Sequence, residues 1–200
     1  MTTPPEGAQP VKVLRGRSTF LRPAEREDIP RFVEWMNDER TVVYLAARAP
    51  IGLADEERWF ERMVEGQGDD RWFFVICRTG DERAIGTIGL FDIDLTNGSA
   101  GLGISLGDPG DRGQGLGTDA LEILLDFAFG ELRLERVWLD VYDFNRRAMR
   151  SYEKAGFTDE GVLRHAVYRR GRYQDLHRMA ILRREWATRR ADHPFPGPPG

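Results

Sequence analysis

The sequence is poor in the residues that build disulfides and metal sites. It contains one cysteine, Cys77, and three histidines, His165, His177 and His193. A single cysteine cannot form an intrachain disulfide, and the apolar run that precedes it predicts a buried thiol rather than a nucleophile. Because the histidines show no metal-ligand spacing, we expect no metal site.

Long hydrophobic runs are also absent. No stretch approaches the roughly 20 apolar residues of a membrane-spanning helix, and the N-terminus does not show the basic-then-apolar pattern of a signal peptide. We therefore expect a soluble, cytoplasmic protein without a membrane partner. The net charge of −4 speaks against a nucleic-acid partner, and a solvated hairpin face explains the arginines crowded between residues 164 and 190.

What the sequence does contain is enough for one ordinary domain. Of its 200 residues, 40% are hydrophobic and 31% are charged, so the chain can bury a real core. Residues 1–10 and 188–200 are rich in proline, glycine and small polar residues, which predicts mobile tails. No repeat or linker interrupts residues 11–187, which we interpret as a single domain.

The first half of this domain shows alternating apolar patterns. A strand is predicted over residues 11–21, and helices are predicted to begin near Asp28 and Asp55. Three further strands, at residues 71–78, 84–92 and 99–106, are separated by short turns. One of these turns contains Asn-Gly, a strong hairpin signal, so we expect an antiparallel meander.

The pattern changes after residue 106. A glycine-rich turn leads into an apolar helical repeat, a strand at residues 136–142, a short helix and two final strands. The run from strand to helix to strand predicts that residues 99–106 and 136–142 are parallel neighbours. The predicted fold class is therefore α/β, with a single mixed, mostly antiparallel sheet flanked by helices and a central parallel strand pair.

The glycine-rich turn is a candidate anion site. Backbone N–H groups at a helix N-terminus attract anions, and glycines leave room for a phosphate. The spacing excludes two nucleotide motifs, because no lysine follows Gly115, and Gly113, Gly115 and Gly117 are each two residues apart. Taken alone, the turn is equally compatible with a glycine-rich connection that binds nothing.

Two motifs together indicate a family. Residues 112–117, RGQGLG, fit the pattern R/Q-x-x-G-x-G/A, and residues 145–157, NRRAMRSYEKAGF, fit Asn, a short helix, Tyr and then Gly-Phe. The pair resembles the GNAT N-acetyltransferase superfamily, in particular its RimJ/RimL and spermidine acetyltransferase branch, over residues 11–186. The resemblance implies transfer of an acetyl group from acetyl-CoA, as cosubstrate, to an amine.

The resemblance also implies a coenzyme site. Backbone amides along the turn would hold the pyrophosphate, and these belong to Arg112, Gly113, Gln114, Gly115, Leu116, Gly117 and Thr118. The strand edge at Ile104 and Leu106 would pair with the pantetheine amides, and the N–H of Leu106 would stabilise the oxyanion. Asn145 matches a position that hydrogen-bonds the coenzyme arm, and it is an equally natural helix N-cap.

Tyr152 is the residue that we predict to be the general acid. The departing thiolate needs a proton, which a tyrosine at this position of the family can supply. The alternative is a packing residue on the same helix face as Met149.

The general base is harder to predict. The attacking amine must lose a proton, yet Ala148, Val167 and Gly101 stand where relatives carry serine or glutamate side chains. We consider Asp92 the candidate base, with Asp94 beside it, acting directly or through water. Aspartates that flank a turn are more often simply solvated.

The acceptor is left open by the sequence. Residues 35–59 would supply an aromatic and acidic wall for a cationic amine, with core packing as the alternative for Trp35 and Trp59. A small amine or amino-sugar is favoured over the amine of a peptide or protein N-terminus. The alternative function is a noncatalytic acyl-CoA-binding sensor, under which Tyr152 has no role. The chain could also form a homodimer.

Overall fold

The computed structural model describes residues 14–45 and 50–192. The strand predicted over residues 11–21 is instead a hairpin, in which β1 (Leu14–Arg15) pairs antiparallel with β2 (Thr19–Pro23). The turn between them is held by the buried carboxylate of Asp119, which accepts hydrogen bonds from the N–H groups of residues 17, 18 and 19. Asp119 lies about a hundred residues away, so local sequence could not reveal the turn. Residues 11–13, and the predicted tail at 1–10, lie outside the described residues.

The other elements follow the predicted alternating order, with two further helices, at residues 39–42 and 183–192, that the sequence did not predict. After β2 come α1 (Ile29–Asn37), α2 (Glu39–Val42), α3 (Leu53–Glu65), β3 (Trp72–Arg78), β4 (Ala84–Asp94), β5 (Ser99–Leu106), α4 (Leu116–Asp126), β6 (Arg136–Tyr142), α5 (Arg146–Ala155), β7 (Thr158–Arg169), β8 (Arg172–Leu182) and α6 (Arg183–Asp192). No helix within residues 14–45 and 50–192 is long and apolar enough to cross a membrane.

All the strands belong to one mixed sheet with the order β1-β2-β3-β4-β5-β6-β8-β7. Neighbouring strands are antiparallel except for β5 and β6, which are parallel. Helix α4 packs on one face through residues such as Leu121 and Leu124, whereas α1 and α3 pack on the other through Phe32 and Phe60. The predicted fold class, with its central parallel pair, is confirmed.

The tryptophans near the start of the chain belong to the core. Trp35 and Trp59 both contact the ring of Phe32, and Trp59 also meets Phe73 edge-on at 5.0 Å between ring centroids. Burying such large apolar rings stabilises the fold by about 2 kcal/mol or more each. For these two residues the packing alternative is therefore the correct one.

The domain ends later than predicted. Helix α6 continues to Asp192, so the boundary predicted at residue 187 falls inside a helix. Trp186 is 3% exposed and donates its indole N–H to Asp126 on α4 at 2.9 Å. Arg190, beyond the predicted boundary, pairs with the same carboxylate. The polar composition concealed this tertiary attachment, and residues 193–200 lie outside the described part of the chain.

Candidate active site

The two parallel strands are neighbours over only part of their length. Their pairing begins at Ser99–Arg136 and ends at Gly101–Trp138. Beyond that point β5 stays paired with β4 up to Leu106, and β6 stays paired with β8 up to Tyr142. The strands therefore separate towards their carboxyl ends and open a gap, in which one edge of β5 has no strand partner.

Backbone N–H groups of β5 point into this gap. Gly107 donates its N–H to the carbonyl oxygen of Ile85 on the β4 side at 2.9 Å. Because the N–H groups of consecutive strand residues point to opposite edges, those of Leu106 and Ile104 face the gap. The side chains of Leu106 and Ile104 pack against Gly117 in the first turn of α4. Both residues thus line the gap, and their binding role stays a prediction.

The glycine-rich loop ends at the N-terminus of α4. Gly113 and Gly115 have φ angles of +78° and +82°, which glycine adopts without strain. A Cβ at either position would meet no atom within 4 Å, so the loop is open on that side. The first N–H groups of α4, at Leu116, Gly117 and Thr118, have no carbonyl partner within the helix. Open space, unpaired donors and the positive helix end suit an anionic group such as a pyrophosphate.

The side chain of Arg112 turns into the protein. Its guanidinium donates to the carbonyl oxygens of Leu106 at 3.0 Å and Arg40 at 2.9 Å, and to the hydroxyl of Thr41 at 2.6 Å. Within residues 14–45 and 50–192 no carboxylate forms an ion pair with it. Burial, together with the charge of Arg147, lowers the pKa of Arg112 from its ordinary value. A cation without a carboxylate partner therefore lies beside the open loop.

Asn145 begins helix α5. Its Oδ1 accepts a hydrogen bond from the N–H of Ala148 at 3.3 Å, which is the N-cap role considered above. At the other end, Gly156 closes the helix with a φ of +101°. The side-chain amide N–H groups of Asn145 make no hydrogen bond within the described part of the chain, so the coenzyme role and the cap are compatible.

Tyr152 lies on α5, half-buried against the main core. Its ring packs at 6.0 Å from the ring of Phe157, and its hydroxyl makes no hydrogen bond with any described residue. Burial raises the pKa of Tyr152 to about 12, so the phenol is neutral at ordinary pH. A neutral phenol can donate a hydrogen bond to a thiolate. Because desolvation disfavours the charged thiolate, the proton can then move from the phenol to the sulfur.

Asp92 lies beside the paired part of β5 and β6 rather than beside the gap, so the strand geometry does not support it as the base and that role stays a prediction. Asp92 follows Phe91, which pairs with Gly101. Along β5, Gly101 lies about 17 Å from Leu106, at about 3.3 Å per residue. Its charge acts instead on Arg71, whose pKa it helps to raise. A general base must reach the proton within one hydrogen bond or one water. The sequence did not show which end of β4 lies near the gap.

Asp94 belongs to the same hairpin turn. Its carboxylate accepts hydrogen bonds from the backbone N–H of Asn97 at 2.9 Å and from the Asn97 side chain at 2.6 Å. These bonds lower the pKa of Asp94. The residue stabilises the turn, in agreement with the simpler interpretation of aspartates beside turns.

An aromatic pair covers Gly101 on β5. The ring of Phe91 covers Gly101 so closely that any Cβ there would overlap it. Phe91 meets Trp138 edge-on at 5.5 Å, and the guanidinium of Arg178 lies 4.2 Å from the Trp138 ring. Sequence reasoning missed this cluster, although strand alternation places Trp138 on the face opposite the buried Val137.

The carboxylates on this face are already paired. Asp140 accepts two hydrogen bonds from Arg178, at 2.8 and 2.7 Å, and Glu160 forms an ion pair with Arg136. Ion pairing with Arg136 lowers the pKa of Glu160. Both carboxylates are engaged by arginine side chains, so neither offers a free oxygen to take a proton from an amine.

The mouth of the gap is aromatic and cationic. The ring of Tyr44 lies 6.1 Å from that of Phe144, which stacks on Tyr142 at the end of β6. The guanidinium of Arg147 on α5 lies 5.8 Å from the Tyr44 ring. The predicted wall is thus aromatic at Tyr44, and its neighbouring charges are Arg147, Arg112 and the carboxylate of Asp38, which is paired with Arg40.

No group of three or more His, Cys, Asp or Glu side chains within the described ranges could hold a metal ion. His177 is instead bound by two carboxylates, Asp159 at 2.6 Å and Asp143 at 3.2 Å. The expectation of no metal site stays a prediction from the sequence.

Comparison with known proteins decides the family. A model of the acetyltransferase (GNAT) domain matches residues 19–158. The chain belongs to this family. It is 30% identical to the spermidine N(1)-acetyltransferase of Escherichia coli strain K12, over 90% of this chain and 92% of that protein. It is 32% identical to the probable N-acetyltransferase YjcK of Bacillus subtilis strain 168, over 85% of this chain and 97% of that protein.

A solved structure agrees with this GNAT assignment. The crystal structure of spermidine N-acetyltransferase from Vibrio cholerae, in complex with CoA and spermine, superposes with a TM-score of 0.78. The match has 26% sequence identity and covers 85% of this chain and 98% of the other. The resemblance to this branch is confirmed, and the protein is a GNAT N-acetyltransferase. These relatives lend no support to a noncatalytic sensor.

Proposed function

We propose that the protein transfers the acetyl group of acetyl-CoA to the primary amine of a small molecule, by direct attack while both substrates are bound. The gap between β5 and β6 is the observation that carries the proposal. It brings the N–H of Leu106, the open glycine loop and the N-terminus of α4 to one edge of the sheet.

The coenzyme is held mainly by backbone groups in this proposal. The N–H groups of residues 113–118 bind the pyrophosphate, whereas the N–H of Arg112 already donates to the carbonyl oxygen of Pro109 at 3.2 Å. The β5 edge at Ile104 and Leu106 pairs with the amides of the pantetheine arm. The side-chain amide of Asn145 is available to the same arm. When bound, the coenzyme supplies the acetyl thioester, which brings its carbonyl oxygen within reach of the Leu106 N–H.

Two residues act on the reacting atoms. The Leu106 N–H stabilises the oxyanion that forms when the amine nitrogen bonds to the carbonyl carbon. Tyr152 then donates its hydroxyl proton to the sulfur as the carbon–sulfur bond breaks. The proton lost by the amine leaves through water and finally restores Tyr152, because the nearby carboxylates are paired with arginines.

The charge at the mouth favours a particular class of acceptor. Arg112 and Arg147 create a positive potential, which repels a polycation more than a molecule with one amine. An amino-sugar or another small monoamine therefore fits best. The second candidate is a polyamine, favoured by the named activity of the Escherichia coli and Vibrio cholerae relatives.

A panel of acceptors tests the proposal. Release of CoA from acetyl-CoA would be followed with glucosamine, a short alkylamine, spermidine and a peptide with a free N-terminus. We expect turnover with the first two and weaker turnover with spermidine, most clearly at low salt. Tight coenzyme binding with no acceptor-dependent release for any member would instead favour the sensor.

The assembly and the compartment stay predictions. A spermidine N-acetyltransferase from Vibrio cholerae is described as dodecameric, which supports self-association of this chain as a homodimer or a larger assembly. Sedimentation at several concentrations would measure the mass. A mass of one chain at all concentrations would contradict this expectation.

A further inference from the structure

The short helix α2 lies across the ends of the two strands that form the gap. Its buried residue Thr41, which is 2% exposed, donates its hydroxyl to the carbonyl oxygen of Gly107 at 2.7 Å, just after β5. Three residues further along, Tyr44 contacts Phe144, just after β6. The segment 39–45 therefore spans the mouth of the gap.

Arg112 joins this segment to β5. The guanidinium reaches Leu106 and Gly107 at the strand end, at 3.0 and 3.4 Å from their carbonyl oxygens. It also reaches the carbonyl oxygen of Arg40 and the hydroxyl of Thr41, at 2.9 and 2.6 Å. All of these acceptors are neutral, so the bonds serve to hold two backbone segments together rather than to neutralise a carboxylate.

We propose that the Arg112 side chain is a positioning residue, which holds α2 against the end of β5 and so aligns the acceptor amine with the acetyl carbonyl. This inference rests on the proposed acetyl transfer in the gap. It separates two functions of one residue, because the backbone of Arg112 belongs to the coenzyme loop while its side chain serves the acceptor wall. The same guanidinium hydrogen-bonds the carbonyl oxygen of Leu106. The Leu106 N–H makes no such contact with Arg112 and stays available to the thioester.

The geometry explains why arginine is needed here. A guanidinium presents several N–H groups in one plane and can reach two segments at once. A lysine keeps the charge but offers a single ammonium on a flexible stem, which cannot span both segments. Arg112→Lys therefore removes the clamp and leaves the electrostatic attraction for the coenzyme nearly intact.

Loss of the clamp should loosen α2 without unfolding the protein. From β7, Arg169 donates to the carbonyl oxygens of Val42 at 2.9 Å and Leu45 at 2.6 Å. The contact between Tyr44 and Phe144 also remains. Because α2 keeps these two attachments, its position rather than its existence depends on Arg112.

The test compares two variants with two matched controls. Arg112→Lys removes the fork, and Thr41→Val removes the buried hydroxyl at nearly constant volume. Thr41→Ser keeps a hydroxyl at this position. Arg40→Ala removes a neighbouring arginine side chain but leaves the backbone carbonyl of residue 40, to which Arg112 donates. Each protein would be measured for acceptor KM and kcat, for coenzyme Kd by calorimetry, and for amide hydrogen exchange in α2.

We expect kcat/KM for the acceptor to fall about tenfold or more in Arg112→Lys and Thr41→Val, with coenzyme Kd changed by less than about threefold. Hydrogen exchange of α2 should be faster in both variants, and both controls should behave as the wild type. Wild-type kinetics in Arg112→Lys and Thr41→Val would overturn the inference. So would a rise in coenzyme Kd with unchanged acceptor kinetics.

The outcomes separate this inference from the function on which it rests. If the wild type transfers acetyl groups but the variants match it, only the positioning role fails. If the wild type transfers none, the proposed function fails, and unchanged exchange in the variants would then overturn the clamp as well. Thr41→Val keeps the test decisive if Arg112→Lys does not fold.

Discussion

The coenzyme side and the acceptor side of the gap are built from different kinds of contact. On the coenzyme side, β5, the glycine loop and the first turn of α4 follow one another in the chain and offer backbone N–H groups. On the proposed acceptor side, Tyr44 comes from one segment and Tyr142 and Phe144 from another, and all three offer side chains. Backbone donors depend on local conformation, whereas a side-chain wall depends on how distant segments pack.

The two sides also differ in their electrostatics. The coenzyme loop has donors without acceptors and a neighbouring arginine that lacks a carboxylate partner among the described residues. The carboxylates of the acceptor face, Asp140 and Glu160, are already paired with arginines. Changes to the loop should therefore alter coenzyme binding, and changes to the wall should alter the use of the acceptor.

The largest expected effect is on the coenzyme side. Gly115→Val places a branched side chain in the open space of the loop and should weaken coenzyme binding by about a hundredfold or more. Gly171→Val is the matched control, because Gly171 has a φ of +80°, no neighbour within 4 Å of a Cβ, and a place in the turn between β7 and β8, outside the coenzyme loop. Both variants carry a similar backbone strain of about 1 kcal/mol, but only the first should lose affinity in calorimetry. Equal affinities would show that the loop does not hold the coenzyme.

The second effect concerns the chemical step where the two sides meet. Tyr152→Phe keeps the ring packed against Phe157 and removes the hydroxyl, so kcat should fall about a hundredfold while coenzyme Kd stays constant. Phe157→Leu changes the same packing and keeps the hydroxyl, which makes it the control. If Tyr152→Phe retained full kcat, the residue would be reduced to a packing role.

A smaller effect is expected in the pH profile. With Asp140 and Glu160 held by arginines, kcat/KM for an alkylamine should rise about tenfold per pH unit towards the pKa of the amine near 10.4. Tyr152, whose pKa is raised to about 12, stays protonated over this whole range. A profile that is already flat above about pH 6 would show that a general base in the protein deprotonates the amine.

A carboxylate introduced at Gly101 would sharpen the same comparison. Because Phe91 covers that glycine, Gly101→Glu has to be combined with Phe91→Ala, and Phe91→Ala alone is the control. Because Gly101 lies as far along β5 from Leu106 as the end of β4 that carries Asp92, the double variant should leave the rising limb of the profile where the control has it. A limb moved to lower pH would show that a carboxylate at this end of the strands reaches the amine.

The smallest effect is expected at the distant hairpin. Asp92→Asn and Asp94→Asn should each change kcat/KM by less than about twofold, since both residues lie far from Leu106. Asp94→Asn should lower the midpoint of urea unfolding slightly, through weaker hydrogen bonds to Asn97. A large loss of activity in Asp92→Asn would restore that residue as the base.

The errors in the sequence analysis share one cause. The turn at residues 16–18 is held by Asp119, and α6 is held by Asp126, so each depends on a carboxylate that is remote in sequence. Asp92 lies near the end of β4, beside a hairpin turn, which makes it a candidate base in the sequence. Only the pairing of β4 with β5 shows that this end of β4 lies opposite Gly101 rather than opposite Leu106. The meander, the crossover and the helix caps were predicted correctly because their signals are local.

The sequence by itself determined the order of the elements, the parallel pair, the glycine loop and the membership of the GNAT family. Periodicity, turn chemistry and motif spacing are local properties, and the coenzyme contacts inferred here are backbone groups of one continuous stretch. Only the tertiary structure decided which residues line the acceptor wall, that Phe91 covers Gly101 and that Arg112 clamps α2 to β5. Those relations join positions separated by ten to more than seventy residues, and they arise from packing and hydrogen bonding that no local pattern encodes.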